Sequence, residues 1–203
     1  MFAPATTSFM LMRKALWRGE RPPAHSSTEP AWSYSLRTRV IALLRAVVFM
    51  MCCHAVVASA VAAGETPPQF ALLDANGNLV SLEHLRGRVV YVDFWASWCG
   101  PCRRSFPWMN DLQRRYGDRG LTIVGVNVDK RRPDADRFLG QVPASFTIVF
   151  DAAGVTPSAW GVAGMPSSYL IDTQGKVVAV ETGFVDERKT VMETRIQRLL
   201  DAH

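Results

Sequence analysis

Cys99 and Cys102 stand three positions apart in the run Trp98-Cys99-Gly100-Pro101-Cys102, a spacing that lets one thiol attack a disulfide and the other release it. A thiol attacks only as the thiolate, and a free cysteine, with a pKa near ~8.5, is mostly protonated at neutral pH. Position changes that balance. Val89-Val90-Tyr91-Val92-Asp93-Phe94-Trp95 is rich in β-branched and aromatic residues without polar alternation, the pattern of a strand buried on both faces. From Arg103 to Tyr116, the residues Phe106, Met109, Leu112 and Tyr116 recur at spacings of three, three and four, one face of a helix. Cys99 therefore falls at a strand-to-helix junction, where unpaired N–H groups and the positive end of the helix dipole favour the thiolate. Cys102 falls one turn further in, on the same side and less exposed. Gly100-Pro101 permits a tight turn and adds no competing side-chain chemistry, and Pro101 is tolerated because first-turn N–H groups lack intrahelical partners anyway.

The same spacing is half of a zinc site, and zinc wants four ligands. The chain has four cysteines and four histidines. Cys52, Cys53 and His54 lie in an apolar N-terminal segment with His25 ahead of it, leaving only His84, in an expected loop, and His203 at the C-terminal end. That set argues against a metal, and none is expected. A structural staple is the other reading, since secreted domains use disulfides. A bridge closing so short a loop restrains the unfolded chain very little. Asp93 is the second chemical signal. A carboxylate in a doubly buried strand is costly unless paired, hydrated or protonated. Burial raises its pKa and makes it a proton acceptor near neutral pH. The plainer reading is a structural aspartate satisfied by backbone or by serine donors such as Ser97.

The segment Val92-Asp93-Phe94-Trp95-Ala96-Ser97-Trp98-Cys99-Gly100-Pro101-Cys102 resembles the active-site segment of thioredoxin. The flanks narrow the match. Phe70-Ala71-Leu72-Leu73-Asp74, the turn Asn76-Gly77, Val80-Ser81-Leu82 and Leu85-Arg86-Gly87-Arg88 are similar to the N-terminal hairpin of the TlpA/ResA/CcmG group, thioredoxin-like proteins of bacterial envelopes. Further on, Gly164-Met165-Pro166-Ser167-Ser168-Tyr169-Leu170-Ile171-Asp172 resembles that family's cis-proline strand. The resemblance runs from about Pro68 to the C-terminal end and rests on three separated motifs in the expected order. It implies that Cys99 is the attacking cysteine, Cys102 the resolving one, and Asp93 the buried acceptor that helps deprotonate Cys102. It also implies a substrate-binding rim of Trp98, Gly100 and Pro101, a cis-proline at Pro166 facing the disulfide, and a Met165 backbone that pairs with an extended substrate segment. A cis peptide is at home only before proline, which Met165-Pro166 supplies. An ordinary trans turn proline and one more packed aromatic are the bland readings of Pro166 and Trp98. One position departs from the family. Members such as ResA and CcmG carry a glutamate before the Phe-Pro that follows the second cysteine, and here Ser105 stands there. That departure moves the expectation from cytochrome c biogenesis toward general disulfide reduction.

The N-terminal third bears on location. Arg37 and Arg39 precede Val40 to Ala63, a run that is apolar except for Arg45, His54 and Ser59 and ends Ala60-Val61-Ala62-Ala63-Gly64. A basic flank, an apolar region and an A-x-A-like end describe a secretory signal cleaved after Ala62 or Ala63, hence a periplasmic protein. An uncleaved signal anchor competes, since residues 46–63 can span a bilayer at ~1.5 Å per residue, although the alanine-rich end fits cleavage better. A lipoprotein signal is disfavoured, because Phe49-Met50-Met51 before Cys52 lacks the small residue it wants. Residues 1 to about 36 mix Pro22, Pro23, Pro30, Ser26 and Ser27 with scattered arginines and no amphipathic period, a composition that stays disordered. Their length suggests that translation starts nearer Leu36 or Val40. The expected organisation is thus an extension over 1–39, a signal peptide or anchor over 40–63, and one domain over 64–203. The charge divides the same way: seven Lys/Arg against two Asp/Glu before residue 64, and sixteen of each from there on. The high pI belongs to the targeting segment and argues for no nucleic-acid partner, with Lys130-Arg131-Arg132 a solvated loop. Cleavage would leave Cys99 and Cys102 as the mature protein's only thiols.

A coarse pass over the remainder predicts strands over Leu121–Val128 and Phe146–Phe150, and helices over Pro133–Leu139 and Thr156–Trp160. It adds a hairpin of Ser168–Asp172 with Val177–Thr182, and a closing helix over Asp186–Leu200 with Val191, Ile196, Leu199 and Leu200 inward. Strands separated by helices, then an antiparallel hairpin, argue for an α/β fold with a mixed sheet flanked by helices. With the added N-terminal β-hairpin, that is the thioredoxin-like architecture. The expected activity is thiol-disulfide oxidoreductase, reducing substrate disulfides, because Gly-Pro between the cysteines resembles reducing thioredoxins rather than the Pro-His of the oxidising DsbA type. No cofactor beyond the redox-active disulfide is expected. The resemblance implies disulfide-bearing envelope proteins as clients and a membrane thiol transporter of the DsbD/CcdA kind as reductant. An oxidase or isomerase, and a non-catalytic binding or chaperone module on the same fold, are the alternatives. Client and oligomeric state stay open.

Overall fold

The computed structural model describes residues 39–43, 45 and 60–202. The chain divides into two units, Met1–Ala55 and Val56–His203. In the first, residues 39–43 and 45 are helical. Among the described residues no helix is long and apolar enough to cross a membrane. The expectations for the N-terminal extension, for most of the apolar segment with Cys52 and Cys53, and for His203 lie outside the described residues.

The second unit is built on one seven-stranded sheet. In chain order it runs β1 (Ala71–Asp74), β2 (Leu79–Ser81), β3 (Val89–Trp95), α1 (Cys102–Tyr116), β4 (Leu121–Asn127), α2 (Arg132–Gln141), β5 (Thr147–Phe150), α3 (Val155–Ala159), β6 (Ser167–Ile171), β7 (Val177–Thr182) and α4 (Lys189–Asp201). Across the sheet the order is β2-β1-β5-β4-β3-β6-β7. The strands β3, β4 and β5 are parallel, and β1, β2, β6 and β7 pair antiparallel, which makes the sheet mixed as expected. The N-terminal hairpin β1-β2 turns at Gly77, whose φ of 82° is a conformation that glycine adopts without penalty.

The strand β3 lies near the middle of the sheet and every one of its seven residues is buried. Its unbroken apolar run follows from that, since helices or loops cover both faces. Val89, Tyr91 and Trp95 join the cluster formed with Phe106, Met109 and Leu112 of α1, Phe138 of α2 and Ile196 of α4. Val90, Val92 and Phe94 join the opposite cluster with Val124, Val126, Tyr169 and Trp160. Val61 enters that second cluster, and its N–H donates to the Trp160 carbonyl at 3.2 Å.

The closing helix differs from its expected form. A 3-10 turn, Asp186–Arg188, precedes α4 proper. Val191 is 50 % exposed rather than inward, and Leu199 is only half-buried. Met192, Ile196 and Leu200 recur every four residues and take the core face instead. His84, expected in a loop, sits in a 3-10 turn, Glu83–Leu85. The N-terminal boundary of α1 is Cys102 itself.

Candidate active site

The parallel strand β3 delivers the chain to the carboxyl end of the sheet, and a short coil from Ala96 to Pro101 turns it into α1. Cys99 lies in that coil and Cys102 opens the helix. Their sulfurs are bonded at 2.03 Å, with the Cα atoms 5.3 Å apart. The Cys102 N–H donates to Cys99 Sγ at 3.2 Å. This first-turn N–H has no carbonyl partner within the helix, so it aims the positive end of α1 at the sulfur whose thiolate it would favour. Cys99 is 3 % exposed and Cys102 0 %. Around this buried bridge Trp98 stands out at 70 % exposure, and Gly100 and Pro101 are exposed as well. A side chain at Gly100 would meet nothing within 4 Å, so the space beside this part of the disulfide loop is open.

Asp93 points to the same face of β3 as Tyr91 and Trp95, the face that α1 covers, because side chains alternate along a strand. It is 1 % exposed. Gly125 of β4 flanks it on one side and Ser168 of β6 on the other. The Ser168 hydroxyl donates to Asp93 Oδ1 at 2.7 Å, and Oδ2 has no partner among the described residues. Burial pushes the carboxyl up to about 7, with the Ser168 hydrogen bond pulling the other way. At that value the group is close to half ionised at neutral pH, where a proton acceptor works best.

The expected serine partner is therefore corrected. Ser97 serves Asp129: its N–H and its hydroxyl each donate to the Asp129 carboxylate at 2.9 Å. Asn127 Nδ2 adds a third donor at 2.8 Å, and the Asp129 N–H returns to Asn127 Oδ1 at 3.1 Å. This clasp ties the coil that carries Cys99 to the end of β4.

The Met165-Pro166 bond is cis. Pro166 precedes β6, whose first residue, Ser167, pairs with Phe94, so the proline lies beside the carboxyl end of β3. Met165 packs against both clusters, one of which contains the two cysteines. Its own N–H and carbonyl form no hydrogen bond among the described residues, while the Pro166 carbonyl accepts from Gly183 N–H at 2.8 Å. All eight expected site residues thus lie at one end of β3 or on its cysteine-bearing face. Ser105 is buried, and its hydroxyl donates to the Cys102 carbonyl at 3.1 Å, turned back on its own helix.

The Redoxin family pattern matches residues 62–196. The chain belongs to the Redoxin family. The thiol-disulfide oxidoreductase ResA of Geobacillus thermodenitrificans is 38 % identical over 125 residues, 62 % of this chain and 72 % of the relative. The ResA of Bacillus subtilis is 35 % identical over 124 residues, 61 % of this chain and 69 % of the relative. Among solved structures, one described as a thiol:disulfide interchange protein DsbE from Chlorobium tepidum is 49 % identical, with a TM-score of 0.67 over 70 % of this chain and 99 % of that one. These likenesses place this Redoxin-family chain in the thioredoxin-like TlpA/ResA/CcmG group, with thiol-disulfide oxidoreductase activity.

Sequence reasoning missed three residues of this Redoxin site: Ser168, Asn127 and Asp129. Two acidic or amide residues at the carboxyl end of a buried strand, as in Asn127-Val128-Asp129, were the available signal, since ligand-facing residues of parallel sheets gather there. Ser168 carried a weaker one, a hydroxyl inside an otherwise apolar strand.

Proposed function

We propose that this domain reduces protein disulfides in the bacterial envelope through the Cys99/Cys102 couple. The Cys99 thiolate attacks one sulfur of a client disulfide, that S–S bond breaks, and the client's other sulfur leaves as a thiolate and takes a proton from water. Cys102 then gives its proton to Asp93 and attacks Cys99 Sγ, which expels the client's second sulfur as a thiolate that takes a proton from water, and closes the Cys99–Cys102 disulfide. Two electrons pass from the protein to the client. A membrane thiol transporter of the DsbD/CcdA kind returns two, so the couple itself carries the electrons and no bound cofactor is required. Trp98, Gly100 and Pro101 form the rim that meets the client, and the Met165 backbone beside cis Pro166, unpaired among the described residues, holds an extended client segment by strand-like pairing.

The observation that carries this reading is Asp93: a buried carboxyl on the cysteine-bearing face, held near neutral pKa, with one oxygen unpaired among the described residues. The Gly-Pro dipeptide supports the reducing direction. The reduction potential of the couple tests it. A value near thioredoxin's, about −270 mV, is expected, whereas one near DsbA's, about −120 mV, would make the protein an oxidase.

The basic flank and apolar run over 37–63 support an envelope location. Between cleavage after Ala62 or Ala63 and an uncleaved anchor, the burial of Val61 in the domain's core favours keeping residues 60–63. N-terminal mapping of the mature protein decides between them.

A further inference from the structure

We propose that Ser168 and Tyr91 form the route by which Asp93 exchanges its proton with solvent, opening at a small pocket beside β7 and the start of α4. The route rests on the reading of Asp93 as the proton acceptor of the couple. A carboxyl that takes the Cys102 proton must lose it before the next cycle, and Asp93, buried at 1 % exposure, has no direct contact with bulk water.

Its neighbours in the sheet define the way out. Toward β4 the partner is Gly125, which offers no side chain, and a Cβ there would lie 2.8 Å from Ile148 and 3.2 Å from Trp95 Nε1, so that side is packed shut. Toward β6 the partner is Ser168, hydrogen-bonded at 2.7 Å. Ser168 stands opposite Glu181 of β7, and diagonal to Tyr91, whose own partner is Leu170. Diagonal neighbours on one sheet face are within reach of a long aromatic side chain. Tyr91, Ser168, Glu181, Arg188 and Lys189 line a pocket of about 20 Å³, room for one water. The path from Asp93 to solvent thus runs over two hydroxyls and the water between them.

The charged and titratable groups around it are Tyr91 on β3, Glu181 on β7, Cys102 on α1, and Arg188 and Lys189 at the start of α4. Arg188 is paired with Glu181 at 3.0 Å, and Lys189 is paired with Asp186. Burial, with Asp93 and Glu181 adding to it, pushes the Tyr91 phenol up, so it remains a neutral hydroxyl. Moving inward, a hydronium from solvent protonates Tyr91 Oη as Tyr91 passes its own proton through the pocket water to Ser168 Oγ and Ser168 gives its own to Asp93 Oδ1, leaving a neutral water behind. Moving outward, each transfer reverses once the carboxyl and the hydroxyls have turned. One proton crosses, neither hydroxyl changes charge, and no electrons move.

Single-turnover kinetics on the full chain test the route. The reduced protein is mixed with insulin, and formation and decay of the Cys99 mixed disulfide are followed between pH 6 and 9. Near neutral pH, molecules that start with Asp93 protonated must lose that proton before Cys102 can resolve. Wild type is expected to decay in one phase. Tyr91→Phe keeps the ring and its edge contact with Trp108 but lacks the hydroxyl, and Ser168→Ala lacks the link. Both are expected to form the mixed disulfide at the wild-type rate and to decay in two phases near pH 7. The slow phase should lag roughly tenfold, the low end of what a positioned acid or base contributes. At pH 9, with Asp93 ionised, the slow phase disappears, and Ser168→Thr restores single-phase decay throughout. A structural role for Ser168 would instead shift the pH midpoint with one phase everywhere. That result, or single-phase decay in Tyr91→Phe at every pH, overturns the route while leaving the couple intact. A wild-type protein that forms no mixed disulfide at Cys99 overturns the couple and the route with it.

Discussion

Val90, Val92 and Phe94 pack on one side of the sheet with Trp160 and Tyr169, while Tyr91, Asp93 and Trp95 lie on the other side, with the cysteines and Phe106. On the first side every polar atom of the large aromatics is engaged: Trp160 Nε1 donates to the Pro68 carbonyl at 3.0 Å and the Tyr169 hydroxyl to the Trp160 carbonyl at 3.3 Å. Phe94, Trp160 and Tyr169 meet edge to face, with centroids 4.8 to 5.8 Å apart. On the second side lie the three buried side-chain polar atoms without a partner among the described residues: Asp93 Oδ2, Trp95 Nε1 and Trp108 Nε1. A buried polar group left unpaired costs about 1–3 kcal/mol, so one strand is stabilised on one face and bears a cost on the other. The cost sits where the chemistry is.

Separating the two faces by mutation sharpens the contrast. Phe94→Ala opens a cavity in the fully satisfied face and should cost about 3–5 kcal/mol in urea unfolding, with insulin reduction per folded molecule unchanged. Activity lost in proportion to Cys99→Ser would mean that the faces do not act separately.

Asp93→Asn acts in the opposite sense. The carboxyl titrates from an ordinary 3.8 when unfolded to about 7 when folded. Between those values the folded state holds a proton that the unfolded state has released, so raising the pH through that window lowers stability. Asparagine does not ionise. The variant should therefore match wild type near pH 3, gain on it from pH 4 to 7, and hold an advantage of at most about 4 kcal/mol above pH 8. Thermal unfolding across pH measures this, and resolution of the mixed disulfide should slow in the same variant.

Asp129→Ala breaks the clasp on the Ser97 N–H and should cost about 1–3 kcal/mol, with slower attack by Cys99 because its coil is no longer tied to β4. Trp98→Ala is the smallest change. With 70 % of the side chain already exposed, stability should stay within about 0.5 kcal/mol while KM for protein disulfides rises.

The fold was legible where burial and pattern coincide. The apolar run of β3 and the three-three-four spacing of α1 both describe elements buried on a predictable face. The closing helix was legible as an element but not in its facing, because Val191 and Met192 are both apolar and only packing selects the second. Within the site, Cys99, Cys102 and Asp93 announced themselves as chemical types in an improbable setting. The partners of Asp93 and Ser97 did not. Ser97 is near Asp93 in sequence, yet strand β6 brings Ser168 beside the carboxyl from 75 residues away, and β4 brings Asp129 to Ser97 from 32. Such pairings are fixed by strand register, which local sequence does not encode.

Trapping with Cys102→Ser tests the central claim most directly, since attack without resolution leaves the substrate bound. The reduced variant, incubated with insulin and mapped by peptide mass, is expected to carry an insulin chain on Cys99, and Cys99→Ser is expected to carry none. No adduct on Cys99, or an equal adduct in Cys99→Ser, would contradict a catalytic couple in which Cys99 attacks.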